Sequence, residues 1–177
     1  AQRSPKTRAL PIVHIANPID SELFHPTRRE NSRQYFGITP DEFVIAWLPG
    51  KGDKTFDKAI HLFASRLEAP LREQCTILTT EQTPRLSAEI RTNIVNPPST
   101  EVDRANFWAA ADAGISTTEA DNFPNVVLEA LACETPMIVP QVGGAAEAVI
   151  HTHGGIVVQK ADAEDFANAL LNLYMTK

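Results

Sequence analysis

Residues 116–134, STTEADNFPNVVLEALACE, join the end of an apolar run to an amphipathic segment through a polar turn. Residues 113–116, AGIS, are strand-like, and a helix is predicted to begin at about Pro124, because proline is favoured at the first helical position. A strand, a turn and a helix in this order make up half of a βαβ unit, from which parallel sheets are built. The segment therefore predicts an α/β domain.

Outward from this segment, short apolar runs alternate with longer amphipathic ones. Residues 43–48, FVIAWL, form an uncharged run typical of a strand covered on both faces. Other strands are predicted at residues 12–15, 75–78, 94–95, 113–116, 136–139 and 156–158. Helices are predicted at residues 27–36, 54–68, 99–110, 124–133, 145–150 and 162–175. This alternation predicts a Rossmann-like, doubly wound parallel sheet, whose ligands bind beyond the carboxyl ends of the strands. The loops at that edge are residues 49–53, 97–99, 117–123 and 141–144.

Composition limits the class of protein. The 177 residues, of which 43% are hydrophobic, suffice for one compact domain, with residues 1–26 as an N-terminal strand and linker segment and residues 27–177 as the domain proper. A net charge of −6 disfavours a nucleic-acid partner. Cys75 and Cys133 lie in apolar runs and are expected to be reduced core thiols of an intracellular protein. With no run of roughly 20 apolar residues and no apparent signal peptide, we expect a cytoplasmic protein without a transmembrane segment.

The predicted helix near Pro124 is a candidate anion site. Its first backbone N–H groups lack intrahelical partners and lie at the positive end of the helix dipole, which suits a diphosphate. Glu129 lies about one and a half turns further on, and helical side chains tilt towards the N-terminus, so its carboxylate could accept from a ribose diol. Asp121 would face the sugar hydroxyls. The simpler interpretations are a solvated helix charge for Glu129, a cap or turn residue for Asp121, and a turn charge for Glu119.

A basic loop, PGKGDKT at residues 49–55, follows the strand at residues 43–48. Lys51 and Lys54 could neutralise a diphosphate, although Lys51 is equally typical of a surface loop and Lys54 of a helix start. The loop is not a P-loop, because Asp53 precedes Lys54 and the G-x-x-x-x-G-K spacing is absent.

A glycine pair, Gly143 and Gly144, stands between a predicted strand and helix. It indicates a tight turn, which also permits close approach to a sugar, with Glu147 as a neighbour. No metal is expected, because His151 and His153 lack a carboxylate or cysteine partner and no D-x-D motif occurs.

These segments resemble the C-terminal, donor-binding domain of GT-B-fold retaining glycosyltransferases of family 4, the glycosyl transferases of group 1. Asp121 and Glu129 have the spacing of the family's E-x7-E signature, with Asp in the first place, and DNFPN is similar to its D-N-L-P-N variant. LEALACETPMIVPQVGGAAEAV at residues 128–149 resembles the EA-A-CG-PV run and G-G-x-x-E. HIANPIDSELFHP at residues 14–26 resembles the N-G-V-D-x-x-x-F-x-P linker, and KTFDKAIHLFA at residues 54–64 the K-G-F-D segment.

The resemblance implies one GT-B half-domain of a retaining hexosyltransferase, binding a UDP- or GDP-linked sugar without a metal cofactor. It places Lys54 and Lys51 on the diphosphate, Glu129 on the ribose and Asp121 on the sugar. Further donor contacts are implied for the base near residues 94–97 and for the backbone of Asn122, Phe123, Pro124, Asn125, Gly143 and Gly144. A glycan or lipid-linked acceptor would bind a separate N-terminal domain, so the isolated domain should bind donor without transferring it. Peripheral membrane association would depend on that other half.

Three positions depart from the family pattern. Pro49 stands where the family usually has Arg, Thr55 follows Lys54 in place of Gly, and Glu134 follows Cys133 in place of Gly. They keep open a degenerate module that binds nucleotide sugars without turnover. A GT-B-fold sugar-nucleotide epimerase would need catalytic acids of its own in the cleft, and a plain interaction domain would have no nucleotide affinity.

Overall fold

A six-stranded parallel sheet forms the centre of the computed structural model, which describes residues 17–49, 54–80, 90–118 and 124–177. The strands are Phe43–Trp47 (β1), Cys75–Thr79 (β2), Arg91–Ile94 (β3), Ala113–Ile115 (β4), Met137–Pro140 (β5) and Gly155–Val158 (β6). Their order across the sheet is β3-β2-β1-β4-β5-β6, and each neighbouring pair is parallel. The predicted doubly wound sheet is confirmed. The strand predicted at residues 12–15 lies outside the described residues.

Helices cover both faces of this sheet. In the described part of the chain they are Arg29–Tyr35 (α1), Thr55–Ser65 (α2), Ala69–Glu73 (α3), Glu101–Ala109 (α4), Asn125–Ala132 (α5), Gly143–Thr152 (α6) and Ala163–Thr176 (α7). A 3-10 turn at Pro26–Arg28 precedes α1. The sequence analysis missed α3, because a helix of five residues is too short to show a helical period. It also began α6 too late, because the glycine pair was interpreted as a turn outside the helix.

The sheet separates two hydrophobic cores, in agreement with the uncharged run at residues 43–48. All five residues of β1 are buried, with side chains alternating between the two cores. On one face, α2 and α7 pack together, and the Phe56 ring stacks on Trp47 with 4.0 Å between centroids. On the other face, Trp108 of α4 and Val127 of α5 pack with α6 against the sheet. Burial of apolar surface on both faces is the main stabilising contribution.

The strand order produces a crevice at the carboxyl edge of the sheet. The chain leaves β1 towards α2 on one face and leaves the neighbouring β4 towards α5 on the opposite face. Ligands of doubly wound proteins bind where the strand order reverses in this way. The loops at residues 49–53 and 117–123 join the strands to the helices at this point. Residues 50–53 and 119–123 of those loops lie outside the described residues.

At the opposite, amino edge, Asp112 is the centre of a cluster of charges. Its carboxylate pairs with Arg33 and Arg29, each at 2.5 Å, and with Lys177 at 3.0 Å, and it accepts the Val44 N–H at 2.8 Å. The guanidinium of Arg33 also donates to the backbone carbonyls of Thr39, Pro40, Glu42 and Ala110. Burial lowers the pKa of Arg33, and Asp112 counteracts that shift. The cluster fastens α1 to β1 and β4.

The two cysteines are free and buried, as expected for core thiols. Burial raises the pKa of Cys75 to about 12 and that of Cys133 to about 11. Within the described ranges, no helix has the length and apolar character that crossing a bilayer requires.

Candidate functional site

Lys54 lies on the crevice, one residue before α2 begins. Its backbone occupies the N-cap position and its side chain is exposed. Among the described residues, no carboxylate forms an ion pair with Lys54. A cation at a helix N-terminus is unfavourable by roughly 0.3–1 kcal/mol, because it meets the positive end of the dipole. Lys54 does lie at a helix start, as the simpler interpretation expected. That position alone does not explain why a positively charged residue occupies it. Lys51 lies outside the described residues.

The N-terminus of α5 lies on the other side of the crevice. Pro124 is its N-cap, with an extended ψ of 121°, and Asn125 is the first helical residue, so the predicted start was one residue early. No side chain in the described part of the chain caps this end. Asn125 accepts a hydrogen bond from the Asn17 side chain at 2.8 Å, which ties the linker segment to the helix. The predicted Asp121, Asn122 and Phe123 lie outside the described residues.

Glu129 is buried, with 4% of its surface exposed, so the interpretation as a solvated helix charge was wrong. The side chain of Arg104 donates from Nε to its Oε1 at 2.9 Å, and Trp108 donates from Nε1 to its Oε2 at 3.3 Å. Both donors lie on α4, which packs beside α5. The carboxylate expected to meet a ribose is therefore already held by two protein donors.

Sequence reasoning missed both of these donors. Neither Trp108 nor Arg104 was singled out as a site residue. Their separation of four residues puts them on one face of α4, which was a usable signal. The sequence does not show which residue of another helix contacts that face.

The glycine pair begins α6 at the carboxyl end of β5. Gly143 has a φ of +55°, a left-handed conformation that favours glycine, and it is the first residue of the helix. Gly144 is buried. The pair was predicted as a tight turn before the helix, but it is the first two residues of α6, whose N-terminus also lies at the carboxyl edge. Glu147 is exposed on the same helix.

A groove of about 460 Å³ opens at the carboxyl end of β3 and contains the stretch predicted to lie near the base. Its lining joins the end of α1 to the start of α4 and comprises Tyr35, Phe36, residues 93–99, Asp103 and Phe107. A capping box begins α4, since Thr100 accepts the Asp103 N–H at 3.1 Å and Asp103 accepts the Thr100 N–H at 2.9 Å. Hydrogen bonds from Thr100, and two more from the backbone and hydroxyl of Ser99, lower the pKa of the Asp103 carboxyl.

The departures from the family pattern differ in kind. Glu134 follows the end of α5 with a φ of +58°, a conformation in which glycine is strongly preferred. The strain of this conformation affects the stability of the α5 C-terminus. Pro49 lies half-buried two residues after β1, beside the crevice, and brings no charge to it.

The histidines at the end of α6 are exposed, with His153 in a left-handed conformation just beyond the helix. Within the described ranges, no group of three histidine, cysteine or acidic residues could hold a metal ion.

Comparison with known proteins identifies the family. The profile described as glycosyl transferases group 1 matches residues 50–176, more than two thirds of the chain. The chain belongs to this family. D-inositol 3-phosphate glycosyltransferases of Paenarthrobacter aurescens and Saccharomonospora viridis are 29% and 30% identical to it, over 92% and 89% of this chain. It spans 43% and 41% of their lengths, less than half of each.

Solved glycosyltransferases share the fold. WaaG, a glycosyltransferase involved in lipopolysaccharide biosynthesis, matches with a TM-score of 0.70 at 23% identity, over 85% of this chain and 42% of that one. HepE of Anabaena in complex with UDP-glucose matches with a TM-score of 0.68 at 23% identity, over 88% and 46%. The C-terminal domain of the group 1 protein LpcC of Francisella tularensis matches with 0.66 at 19% identity, over 90% and 89%. The chain thus corresponds in size and fold to one half of a GT-B glycosyltransferase.

Proposed function

We propose that this chain binds the nucleoside-diphosphate sugar of a retaining, family 4 glycosyltransferase that transfers a hexosyl group. One observation carries the proposal. The helices α2 and α5 begin on opposite sides of the β1–β4 crevice, and Lys54 lies at that edge. Two helix N-termini and an exposed ammonium group together favour a ligand with several negative charges.

The diphosphate is assigned to Lys54, Lys51 and the start of α5. A bound diphosphate would offset the unfavourable position of Lys54 on the dipole of α2. The same charges would stabilise the diphosphate as it leaves the sugar, which is often the largest contribution to catalysis. Because lysines supply this positive charge, we propose a reaction without a metal cofactor.

The remaining groups of the donor are assigned to the surrounding elements. Glu129 accepts from the ribose, and Asp121 from the sugar hydroxyls. The sugar and phosphate approach the backbone at residues 122–125 and at Gly143 and Gly144, and the base lies towards the groove of residues 94–97. HepE binds UDP and UDP-glucose, which favours a uridine nucleotide ahead of a guanosine nucleotide.

The acceptor, a glycan or a lipid-linked molecule, is assigned to a second domain. This agrees with the share of the relatives' length that the chain covers. We propose that the whole enzyme acts in the cytoplasm, with any membrane contact made by the other half. The chain alone should bind donor without transferring sugar, and measurable transfer by the chain alone would contradict this assignment.

Calorimetric titration with UDP, GDP and ADP tests the proposed function. We expect UDP to bind, and Lys54→Ala to weaken binding about tenfold or more, as loss of one charge-assisted contact. Lys58→Ala is the matched control, because Lys58 is exposed one turn further along α2, and it should change the affinity less than twofold. Absence of binding by all three nucleotides would refute the proposal.

The degenerate module is tested by restoring the family's arginine with Pro49→Arg. If this position limits donor binding, the variant should bind UDP about tenfold more tightly. Unchanged affinity would show that the proline is not a defect of the site.

A further inference from the structure

The buried carboxylate of Glu129 has one protein donor on each oxygen. Arg104 donates a hydrogen bond to Oε1 and Trp108 donates one to Oε2. Among the described residues, these two side chains are the donors to the Glu129 carboxylate. Arg104 is itself flanked by Glu101, whose Oε1 lies 3.5 Å from its terminal nitrogen. The carboxylate is thus fixed in position and in orientation by two side chains of α4.

An ionised carboxylate can accept about four hydrogen bonds. Arg104 and Trp108 fill two of these positions, and no other residue that the structure describes fills the remaining two. A buried carboxylate is costly unless its acceptor positions are filled, so the positions that the described residues leave open favour donors that arrive with the ligand. A vicinal diol supplies two O–H donors on adjacent carbons, which matches the number of positions.

We infer that Arg104 and Trp108 are positioning residues, which hold the Glu129 carboxylate so that its free positions receive the two ribose hydroxyl groups. This inference rests on the proposed function, because it states how that site recognises ribose. Arg104 fixes Oε1 with a charged donor, and Trp108 fixes Oε2 with a rigid one. Discrimination between ribose and deoxyribose then depends on α4, although neither side chain contacts the sugar.

The alternative is an ordinary ion pair that joins α4 to α5. It predicts that loss of Arg104 lowers stability and weakens UDP and 2′-deoxy-UDP by the same factor. The positioning role predicts that the ratio of their affinities changes. This ratio is the decisive quantity, because a loss of folded protein reduces both affinities equally.

The test measures the affinities of UDP and 2′-deoxy-UDP by calorimetry, with thermal unfolding of each variant. The wild type should prefer UDP about tenfold or more, and Arg104→Met should bring the ratio close to one. Arg66→Met is the matched control, since Arg66 is exposed to 26% against 29% for Arg104 and also pairs with a glutamate, Glu164 on α7. It should leave the ratio unchanged.

Arg104→Lys keeps the charge and loses the planar guanidinium, so the ratio should fall here as well. A wild-type ratio in Arg104→Met or in Arg104→Lys would overturn the positioning role. UDP binding by the wild type without any preference for ribose would overturn the inference and leave the proposed function standing. No binding of UDP, GDP or ADP would overturn both.

Discussion

Replacing Asp112 with asparagine should destabilise the fold more than any single surface substitution. The side chains of Asp112 and Arg33 are each only 6% exposed, and an asparagine amide oxygen could still accept the Val44 N–H. Asp112→Asn therefore removes the charge while keeping shape and one hydrogen bond. Removing one partner of a buried ion pair costs about 3–5 kcal/mol, because the other charge stays buried without compensation.

The expected loss lies near the lower end of this range. Arg33 keeps its bonds to four backbone carbonyls, which lessen the cost of its isolated charge. The pairs with Arg29 and Lys177 are more exposed and contribute about 0–1 kcal/mol each. We expect a loss of about 3 kcal/mol in the free energy of unfolding.

Urea unfolding followed by tryptophan fluorescence measures this loss, because Trp47 and Trp108 are both buried. Glu164→Gln, which removes the exposed partner of Arg66, is the control and should cost less than about 1 kcal/mol. If Asp112→Asn cost no more than this control, the reasoning from burial would be refuted.

Other properties of the fold lead to further predictions. Glu134→Gly should raise the free energy of unfolding by about 1 kcal/mol, because it relieves a left-handed residue, and a loss in urea unfolding would contradict this. Burial acts to raise the pKa of Glu42, but hydrogen bonds from Thr39 and Thr76 hold that pKa below its ordinary value. Its stabilising contribution is thus present above the unfolded pKa and is lost as pH falls through the folded pKa. Glu42→Gln should therefore flatten the loss of stability below the ordinary pKa of 4.5, and an unchanged pH profile would show that this group is not responsible. The two cysteines should resist iodoacetamide in the native state at about pH 8 and react in urea, since burial raises both pKa values, and rapid native labelling would argue against their burial.

The sequence was sufficient for the central strands because buried parallel strands carry an uncharged run that stands out locally. It was not sufficient for β3, predicted at residues 94–95 and observed at Arg91–Ile94, because this strand is partly exposed and begins with a charge. The run at residues 43–48 predicted β1 to within one residue at its end, and residues 136–139 predicted β5 to within one at each end. The glycine pair marked the junction of β5 and α6, because the left-handed φ of Gly143 is a local requirement, but it belongs to the helix and not to a turn before it. The end of α5, predicted at Cys133 and observed at Ala132, was also predicted to within one residue.

Polar contacts between helices could not be predicted from the sequence. Glu129 and Arg104 are 25 residues apart, and the pattern of neither helix identifies the other as its partner. The charges around Asp112 come likewise from α1, from the start of β4 and from Lys177. Tertiary packing decides such contacts. A single sequence could therefore locate the crevice but could not identify the hydrogen-bond partners of Glu129.

The boundary between β1 and β4 separates strands that come from two different parts of the chain. The strands on one side come from residues 43–94 and those on the other from residues 113–158, so the crevice is bordered by segments far apart in the chain. The pairing of Ile45, Ala46 and Trp47 with β4 is complete before either bordering loop begins. Insertions or exchanges in either loop leave this pairing register intact. Such a fold can diversify its ligands over evolutionary time at little cost to its framework.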